Sequence, residues 1–327
     1  MSDDAVTLRL DGQGVAEYVL APDLDLTAAP RPYLHPVRTL TGLPVTDAQP
    51  ADHRWHLGAS LAVPDVCGTN LWGGRTYVRG AGYAWRGDHG RIAHVEIIQR
   101  TADLVVHRLR WYDRDGRTLL DERRRVGARL LPHRADAWAL DVAYTLTAPP
   151  DRDITLRSPA TNGRPGGAGY GGFFWRAAGA GGAVRVFTAS AGREARVNGS
   201  AEPWVAVASP DPYPYTLVFT GLPEAGRWFV RSAMYPGVCA AFAFDAPRVI
   251  AAGTSLSGSH TVVVADAVLS PRMAGQVAAA AGTAGPAAGA GPAAGADPAA
   301  GASTGIPVAS APPAGHDRGY AVRAERR

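Results

Sequence analysis

The chain has 327 residues, a formal net charge of +4 and 46% hydrophobic residues, which is enough for one large domain or two ordinary ones. All 33 basic residues are arginine, which excludes Schiff-base and lysine-nucleophile chemistry, and the small net charge gives no indication of nucleic-acid binding. The two cysteines, Cys67 and Cys239, form no CxxC pair, which argues against a disulfide framework or a cysteine-rich zinc site.

The N-terminal residues are acidic and lack the basic and apolar regions of a secretion signal. No stretch of about 18 or more residues is apolar enough to span a bilayer. We therefore expect a cytoplasmic protein without a membrane partner.

Residues 1–272 have the pattern of a single all-β domain. The clearest strand is expected over residues 136–147, where large side chains alternate with small or polar ones, at Trp138, Leu140, Val142, Tyr144 and Leu146. Residues 104–112 and 117–126 flank an Asp-Gly turn, which predicts a β-hairpin. About fourteen short strands, without a helical period or an internal repeat, predict a large antiparallel two-sheet β-super-sandwich with few short helices.

The composition changes sharply at Met273. Residues 273–327 are rich in Ala, Gly and Pro and contain almost no aromatic or β-branched residues. Such a segment has too little apolar surface to offset the entropy that ordering would cost. We therefore expect the domain to end at residue 272 and residues 273–327 to form a disordered tail.

Three of the nine histidines, His35, His53 and His56, occur in two short motifs separated by Pro-, Gly- and Asp-rich sequence. Imidazole transfers protons near neutral pH, so these three rings are the predicted catalytic residues. They could instead bind a divalent metal, or tie loops together through hydrogen bonds. No carboxylate-rich ligand spacing accompanies the histidines, so no cofactor is predicted beyond that alternative.

Polar residues beside these histidines are predicted to bind the substrate. Arg31 and Tyr33 precede His35, and Asp52 directly precedes His53. Guanidinium, hydroxyl and carboxylate groups all form hydrogen bonds with substrate oxygens or hydroxyls. We therefore expect Arg31, Tyr33 and Asp52 to hold a ligand near the imidazoles.

Further binding residues are predicted in three later segments. A Trp face such as that of Trp72 stacks on the apolar face of a sugar ring, while Asn70 can bind hydroxyl groups. His94 and Glu96 lie two residues apart in an expected strand, where both would project to one face and either exchange protons with a substrate or form a solvated ion pair. Arg176, which ends an aromatic segment, is predicted to reach the cleft.

A series of motifs runs along the chain up to the tail. It consists of Arg-Pro-Tyr-x-His-Pro-Val at 31–37, Gly-x-Pro-Val-Thr at 42–46, Asp-His-x-x-His-x-Gly at 52–58, Asn-x-Trp at 70–72, Gly-Arg-Ile-x-His at 90–94, Tyr-Gly-Gly-Phe-Phe-Trp-Arg at 170–176 and Trp-Phe-Val-Arg at 228–231. The series resembles the bacterial PmoA family, soluble proteins labelled methane oxygenase. The histidine motif of other members resembles Asp-His-Pro-His-His-Arg-Gly, and here Arg54, Trp55 and Leu57 replace Pro, His and Arg.

The resemblance implies a galactose-mutarotase-like super-sandwich, a fold whose relatives act on or bind carbohydrates. Family members also tend to lie beside sugar dehydrogenases of the Gfo/Idh/MocA type. A membrane methane monooxygenase subunit is not implied, because the chain has no apolar spans. Mutarotases of this fold pair a His acid with a late Glu base, and after Glu224 this chain offers only Asp245 and Asp266 before the tail, so mutarotase activity itself is not expected.

The leading hypothesis is an enzyme of sugar catabolism, an epimerase, lyase or hydrolase that acts on a sugar or oxidised sugar through histidine acid–base chemistry in a concave cleft. The alternatives are a non-catalytic carbohydrate-binding or sensing protein, and a metal-dependent oxygenase or lyase with a histidine-rich site. The expected partner is a small-molecule carbohydrate rather than nucleic acid, and the expected state is a monomer or homodimer.

Overall fold

The computed structural model describes residues 4–132, 134–179, 183–210 and 212–283. Within these ranges the chain forms two large antiparallel β-sheets, a small hairpin, two α-helices and a short 3-10 turn at Leu26–Ala28. The strands are β1 (Ala5–Leu10), β2 (Gln13–Val19), β3 (Tyr33–Val37), β4 (Ala59–Val66), β5 (Thr69–Leu71), β6 (Thr76–Val78), β7 (Gly82–Ala84), β8 (Arg91–Arg100), β9 (Leu104–Tyr112), β10 (Thr118–Leu131), β11 (Arg134–Thr147), β12 (Ile154–Arg157), β13 (Gly172–Arg176), β14 (Arg185–Phe187), β15 (Trp204–Ser209), β16 (Tyr215–Thr220), β17 (Arg227–Arg231), β18 (Gly237–Ala241), β19 (Arg248–Ile250) and β20 (Ser255–Ala265). The helices are α1 (Glu194–Val197) and α2 (Pro271–Thr283).

The first large sheet, sheet I, has the order β1-β2-β3-β4-β13-β18-β17. Two further strands, β5 and β12, also pair with β4, and β19 pairs with β12. Sheet II has the order β14-β15-β16-β20-β11-β10-β9-β8, and β6 and β7 form the separate hairpin. The predicted antiparallel two-sheet, all-β architecture is therefore confirmed.

Alternating side chains explain why the two sheets pack together. In β11, all five large residues of the predicted apolar face are buried in the core between the sheets, and the intervening Ala137 and Ala139 belong to a second cluster on the outer face of sheet II. In β13, Phe173 and Trp175 likewise join the main core, whereas Phe174 points to the opposite face of sheet I. Each sheet therefore has a second apolar face that something else must cover.

Helix α2 covers the outer face of sheet II. Its N-terminus carries two helix-start signals, since Ser270 accepts a hydrogen bond from the Met273 N–H at 3.3 Å and Pro271 is the first helical residue. Its buried side recurs with helical spacing and packs on the sheet, at Ala274, Val277, Ala278 and Ala281. Near its end, the Arg129 guanidinium donates to the Ala281 carbonyl at 2.9 Å.

This helix corrects the predicted domain boundary. The domain does not end at residue 272, because the helix that covers sheet II extends to Thr283. Small alanine side chains on both surfaces let the helix lie close to the sheet. The Ala-rich composition, which had predicted a disordered tail from residue 273, here belongs to a packed helix. The rest of the predicted tail, residues 284–327, lies outside the described residues. None of the helices in the described ranges has the length and apolarity needed to cross a bilayer.

Candidate functional site

The outer face of sheet I bears a cavity of about 440 Å³. Its floor belongs to the apolar cluster that Phe174 forms with Trp72, Phe229, Tyr235 and Cys239, on the side of sheet I that faces away from sheet II. Seven aromatic residues, two histidines, three arginines, a methionine and a glycine line it: His53, Trp55, His56, Trp72, Gly73, Arg75, Tyr83, Trp85, Arg164, Tyr170, Phe229, Arg231, Met234 and Tyr235. The volume falls within the range of about 300–1,000 Å³ that is usual for small-molecule sites.

His53 is held against the cavity by a carboxylate. Its Nδ1 lies 2.8 Å from Asp52 Oδ2, and the same carboxylate accepts from Arg176 Nη2 at 3.3 Å. Because a carboxylate only accepts, Nδ1 carries the proton and Nε2 is left as the basic nitrogen. Burial tends to raise the pKa of Asp52, but the hydrogen bond from His53 and the charge of Arg176 outweigh it and lower that pKa. The pair therefore has the form of an oriented acid–base group.

His56 is deeper and stays neutral near pH 7. Its ring stacks on His53, with centroids 4.6 Å apart and planes within 16°, and it also contacts Phe174 and Tyr235. Burial lowers the pKa of His56 well below its usual value, and the charges of His53, Arg176 and Arg31 lower it further. A neutral imidazole at this depth can donate one hydrogen bond without carrying charge.

Arg176 lies behind the cavity wall and contacts both Asp52 and His56. It ends β13, is almost fully buried, and its guanidinium lies 4.6 Å from the centre of the Tyr235 ring. Its Nη1 lies 3.5 Å from His56 Nδ1, and because guanidinium only donates, this contact favours the Nε2–H form of His56. Arg176 does not line the cavity, so its predicted substrate contact is replaced by the positioning of Asp52 and His56.

The segment after β5 places Trp72 in the cavity. Asn70 Oδ1 accepts from the Trp72 and Gly73 backbone N–H groups at 2.9 and 2.8 Å, which turns the chain sharply. Gly73 and Gly74 have φ of +98° and +69°, and a Cβ at Gly74 would lie 2.5 Å from the Trp55 ring. Of the two predicted residues here, Trp72 lines the cavity and Asn70 shapes its loop instead.

The residues around His35 do not reach the cavity. Arg31 is buried, and its guanidinium donates to the carbonyls of Ala28, Ala29, Trp72 and Trp55 and to the Ser60 hydroxyl, at 2.9–3.1 Å. It ties together the loops that surround the site.

His35 Nδ1 bonds the Thr46 hydroxyl at 3.0 Å, and both His35 and Tyr33 lie in β3 away from the cavity lining. The predicted roles of Arg31, Tyr33 and His35 at the substrate are therefore not supported by where these side chains lie.

His94 and Glu96 are separated from the cavity and from each other. Between them the register of β8 against β9 shifts by one residue, so His94 pairs with Leu109 while Glu96 pairs with Arg108. This β-bulge turns the two side chains to opposite faces of sheet II, contrary to the prediction. His94 Nδ1 bonds His107 Nδ1 at 3.0 Å, and Glu96 forms an exposed ion pair with Arg108 at 2.6 Å.

The geometry does not favour the metal site that the sequence left open as an alternative. Imidazole binds metal through a lone pair in the plane of its ring, and the nearly parallel stack of His53 and His56 does not direct two lone pairs at one point. His35 lies in β3, outside the lining of the cavity to which His53 and His56 belong. Within the described ranges, no cluster of three or more His, Cys, Asp or Glu side chains is arranged to hold a metal ion.

Several lining residues carried no clear signal in the sequence. Trp55 and Arg75 lie beside predicted site residues, and Tyr170 and Phe229 lie in aromatic segments, so local motifs could have indicated them. Arg231 ends β17 within the Trp-Phe-Val-Arg motif, and the other residues come from loops and from the β6–β7 hairpin, at Tyr83, Trp85, Arg164, Met234 and Tyr235. Their place in the cavity depends on how distant loops meet, which spacing alone does not encode.

Comparison with known proteins identifies a family but no activity. The model of a family of unknown function, DUF6807, matches residues 5–279, and no curated protein matches the chain. That family description does not mention PmoA, so the PmoA resemblance stays a prediction.

Two solved structures share 10% identity with the chain at a TM-score of 0.37. One is an Escherichia coli K12 protein assigned as an aldose 1-epimerase, matched over 80% of this chain and 98% of its own. The other is an α-galactosidase from Lactobacillus brevis, matched over 79% of this chain and 39% of its own.

Proposed function

We propose that this chain, which belongs to the family of unknown function DUF6807, is a carbohydrate-active enzyme in which His53 transfers a proton to or from a sugar. The observation that carries the proposal is the Asp52–His53 pair at the cavity wall, with the carboxylate 2.8 Å from Nδ1 and the imidazole lining the cavity. An imidazole whose second nitrogen is fixed by a carboxylate is a suitable general acid–base group near neutral pH.

The cavity walls suit a sugar ring. Trp72 and Tyr170 pack with ring centroids 4.6 Å apart, and Phe229 lies 5.3 Å from Tyr170. Aromatic faces cover the apolar C–H surface of a ring, while polar groups at the edges bind its hydroxyls. Neutral His56 is placed beside His53 as a hydrogen-bond donor to a ring oxygen or hydroxyl.

The chemistry follows from one proton transfer. Epimerisation, elimination and hydrolysis of a sugar or oxidised sugar all move a proton at carbon or oxygen, which His53 Nε2 can accept or return. Asp52 keeps the proton on Nδ1 and stabilises the imidazolium formed when Nε2 is protonated. Arg176 holds Asp52 in place from beneath the site.

Turnover of aldoses, sugar acids and ketoglycosides by purified protein tests this assignment. His53→Gln keeps a polar side chain but removes the base, and we expect it to lower turnover by about 10²- to 10⁴-fold. The control is Arg54→Gln, since Arg54 is exposed, adjacent in sequence and absent from the cavity lining. Equal turnover by His53→Gln and the wild type would refute the role of His53.

A non-catalytic carbohydrate-binding protein is the second candidate, and the seven aromatic residues of the lining favour it. This alternative predicts thermal stabilisation by a sugar without product, and full retention of binding in His53→Gln. Under either function the partner is a small-molecule carbohydrate. The PmoA relationship, the cytoplasmic location and the monomeric or dimeric state stay predictions.

A further inference from the structure

The charge of the cavity lining is one-sided. Its titratable side chains include Arg75, Arg164 and Arg231 but no Asp or Glu. In the described part of the chain, no carboxylate lies within ion-pair distance of Arg75 or Arg164. Other arginines do have carboxylate partners, as Arg110 has in Asp121 at 2.7 Å. The cavity therefore presents positive charge that the protein itself does not neutralise.

The third arginine is only partly neutralised. Arg231 Nη1 lies 3.6 Å from Glu194 Oε1. The other carboxylate oxygen of Glu194 accepts from the Ser232 and Ala233 backbone N–H groups at 2.7 and 3.0 Å. Glu194 thus anchors the loop that follows β17 and does not itself line the cavity. Glu194 therefore holds Arg231 in position but does not neutralise Arg75 or Arg164.

The Arg164 side chain is held in position by contacts with Tyr83. Its guanidinium lies 4.8 Å from the centre of the Tyr83 ring, and Nη1 donates to the Tyr83 hydroxyl at 2.6 Å. That hydroxyl is in turn bonded to the Tyr170 hydroxyl at 2.8 Å. A guanidinium fixed at one edge retains other N–H donors for a carboxylate or phosphate oxyanion, at a reduced entropic cost of binding.

The apolar walls lie next to this charge. Tyr170 connects the arginine to the aromatic wall. Its hydroxyl ends the hydrogen-bond series that runs from Arg164 through Tyr83, and its ring packs against Trp72. Arg75 extends from the same loop as Trp72, and its guanidinium lies 6.0 Å from the centre of the Trp85 ring. A matching ligand needs a ring with an apolar face and an oxyanion at one end.

We infer that the sugar bound in this cavity is anionic, a ring bearing a carboxylate or a phosphate that Arg75 and Arg164 bind while the ring lies against the aromatic wall. This inference rests on the proposed function, because it names the class of sugar that the same cavity accepts.

Calorimetric titration with D-glucuronate, D-glucose 6-phosphate and D-glucose tests the inference without requiring turnover. We expect at least one anionic probe to bind about 10-fold or more tightly than glucose, and the tighter of the two identifies the anion as carboxylate or phosphate. Arg75→Gln and Arg164→Gln should each weaken that binding by about 10- to 100-fold while changing glucose affinity by less than about 3-fold. Added salt should weaken the anionic probes selectively.

Arg54→Gln is the matched control, because it removes one exposed positive charge beside the site without touching the lining. An equal loss in this control and in Arg164→Gln would overturn the inference, as would glucose binding as tightly as both anions or no probe binding at all. Anionic binding without turnover on any substrate would contradict the proposed enzyme while leaving this inference intact. Turnover of neutral sugars without a preference for anionic ones would contradict this inference while leaving the proposed enzyme intact.

Discussion

Trp55 packs against a stretch of chain that has no side chains. Gly73 and Gly74 lie directly under its indole, and both adopt the left-handed backbone region. Arg31 fixes the same contact from behind by binding the Trp55 and Trp72 carbonyls. The glycines therefore have two independent reasons to be glycine, the backbone conformation and the space that the indole takes.

A pair of alanine substitutions separates these two reasons. Gly74 and Gly80 have φ of +69° and +78°, but a Cβ at Gly74 would overlap the Trp55 ring while one at Gly80 would meet nothing within 4 Å. We expect Gly74→Ala to lose about 1–3 kcal/mol more unfolding free energy than Gly80→Ala, because overpacking adds to the same backbone strain. Urea unfolding measures both. Equal losses would show that Trp55 does not constrain this loop.

At the residue scale, the sequence predicted the side chains that are close together along the chain. His53, His56 and Asp52 were predicted from one short motif, and the structure places them together. His35 was grouped with them on sequence proximity alone, yet it lies in β3 and bonds Thr46. Arg164 was not predicted, because its role depends on a hydroxyl chain to loops that are distant in sequence.

Helix α2 shows the same limit for a whole element. Strand β11 was predictable because its side chains alternate strictly, whereas the buried side of α2 is mostly alanine and contrasts weakly with its exposed side. Ser270 and Pro271 were the available signals for its start. The bulge in β8 was not predictable from the pattern, since one extra residue reverses the faces without changing composition.

Two neighbouring aspartate substitutions test whether α2 is docked. Ala278 is buried against sheet II and Ala279 is exposed, so the same change places a carboxylate in the apolar cluster or in solvent. We expect Ala278→Asp to lose about 3 kcal/mol or more, and Ala279→Asp to lose about 1 kcal/mol or less. The helix-dipole cost is nearly the same for both positions. Thermal or urea unfolding that is equally affected in both variants would contradict the packing of α2 on the sheet.

At the scale of the whole molecule, several histidines are buried away from water. Burial lowers the pKa of His107 to about 2 and that of His260 to about 4, and it lowers the pKa of His56 well below its usual value. His107 is further disfavoured as a cation by Arg124 and His94. All three are therefore neutral in the folded protein at pH values where an unfolded histidine, with a pKa near 6.5, takes up a proton.

Folding stability should therefore decline on mild acidification. The unfolded chain binds up to three more protons than the folded chain below pH 6.5, so unfolding free energy falls as pH decreases through that value. Between pH 7.5 and 5.5 the expected loss is as much as roughly 4 kcal/mol. Carboxylates such as Asp52, whose folded pKa is lowered, add their own loss only nearer pH 4. Urea titrations in this window measure the slope, and His107→Gln should reduce it by one proton. A flat profile in the wild type would mean that these rings are protonated, or exposed to water, in the folded state.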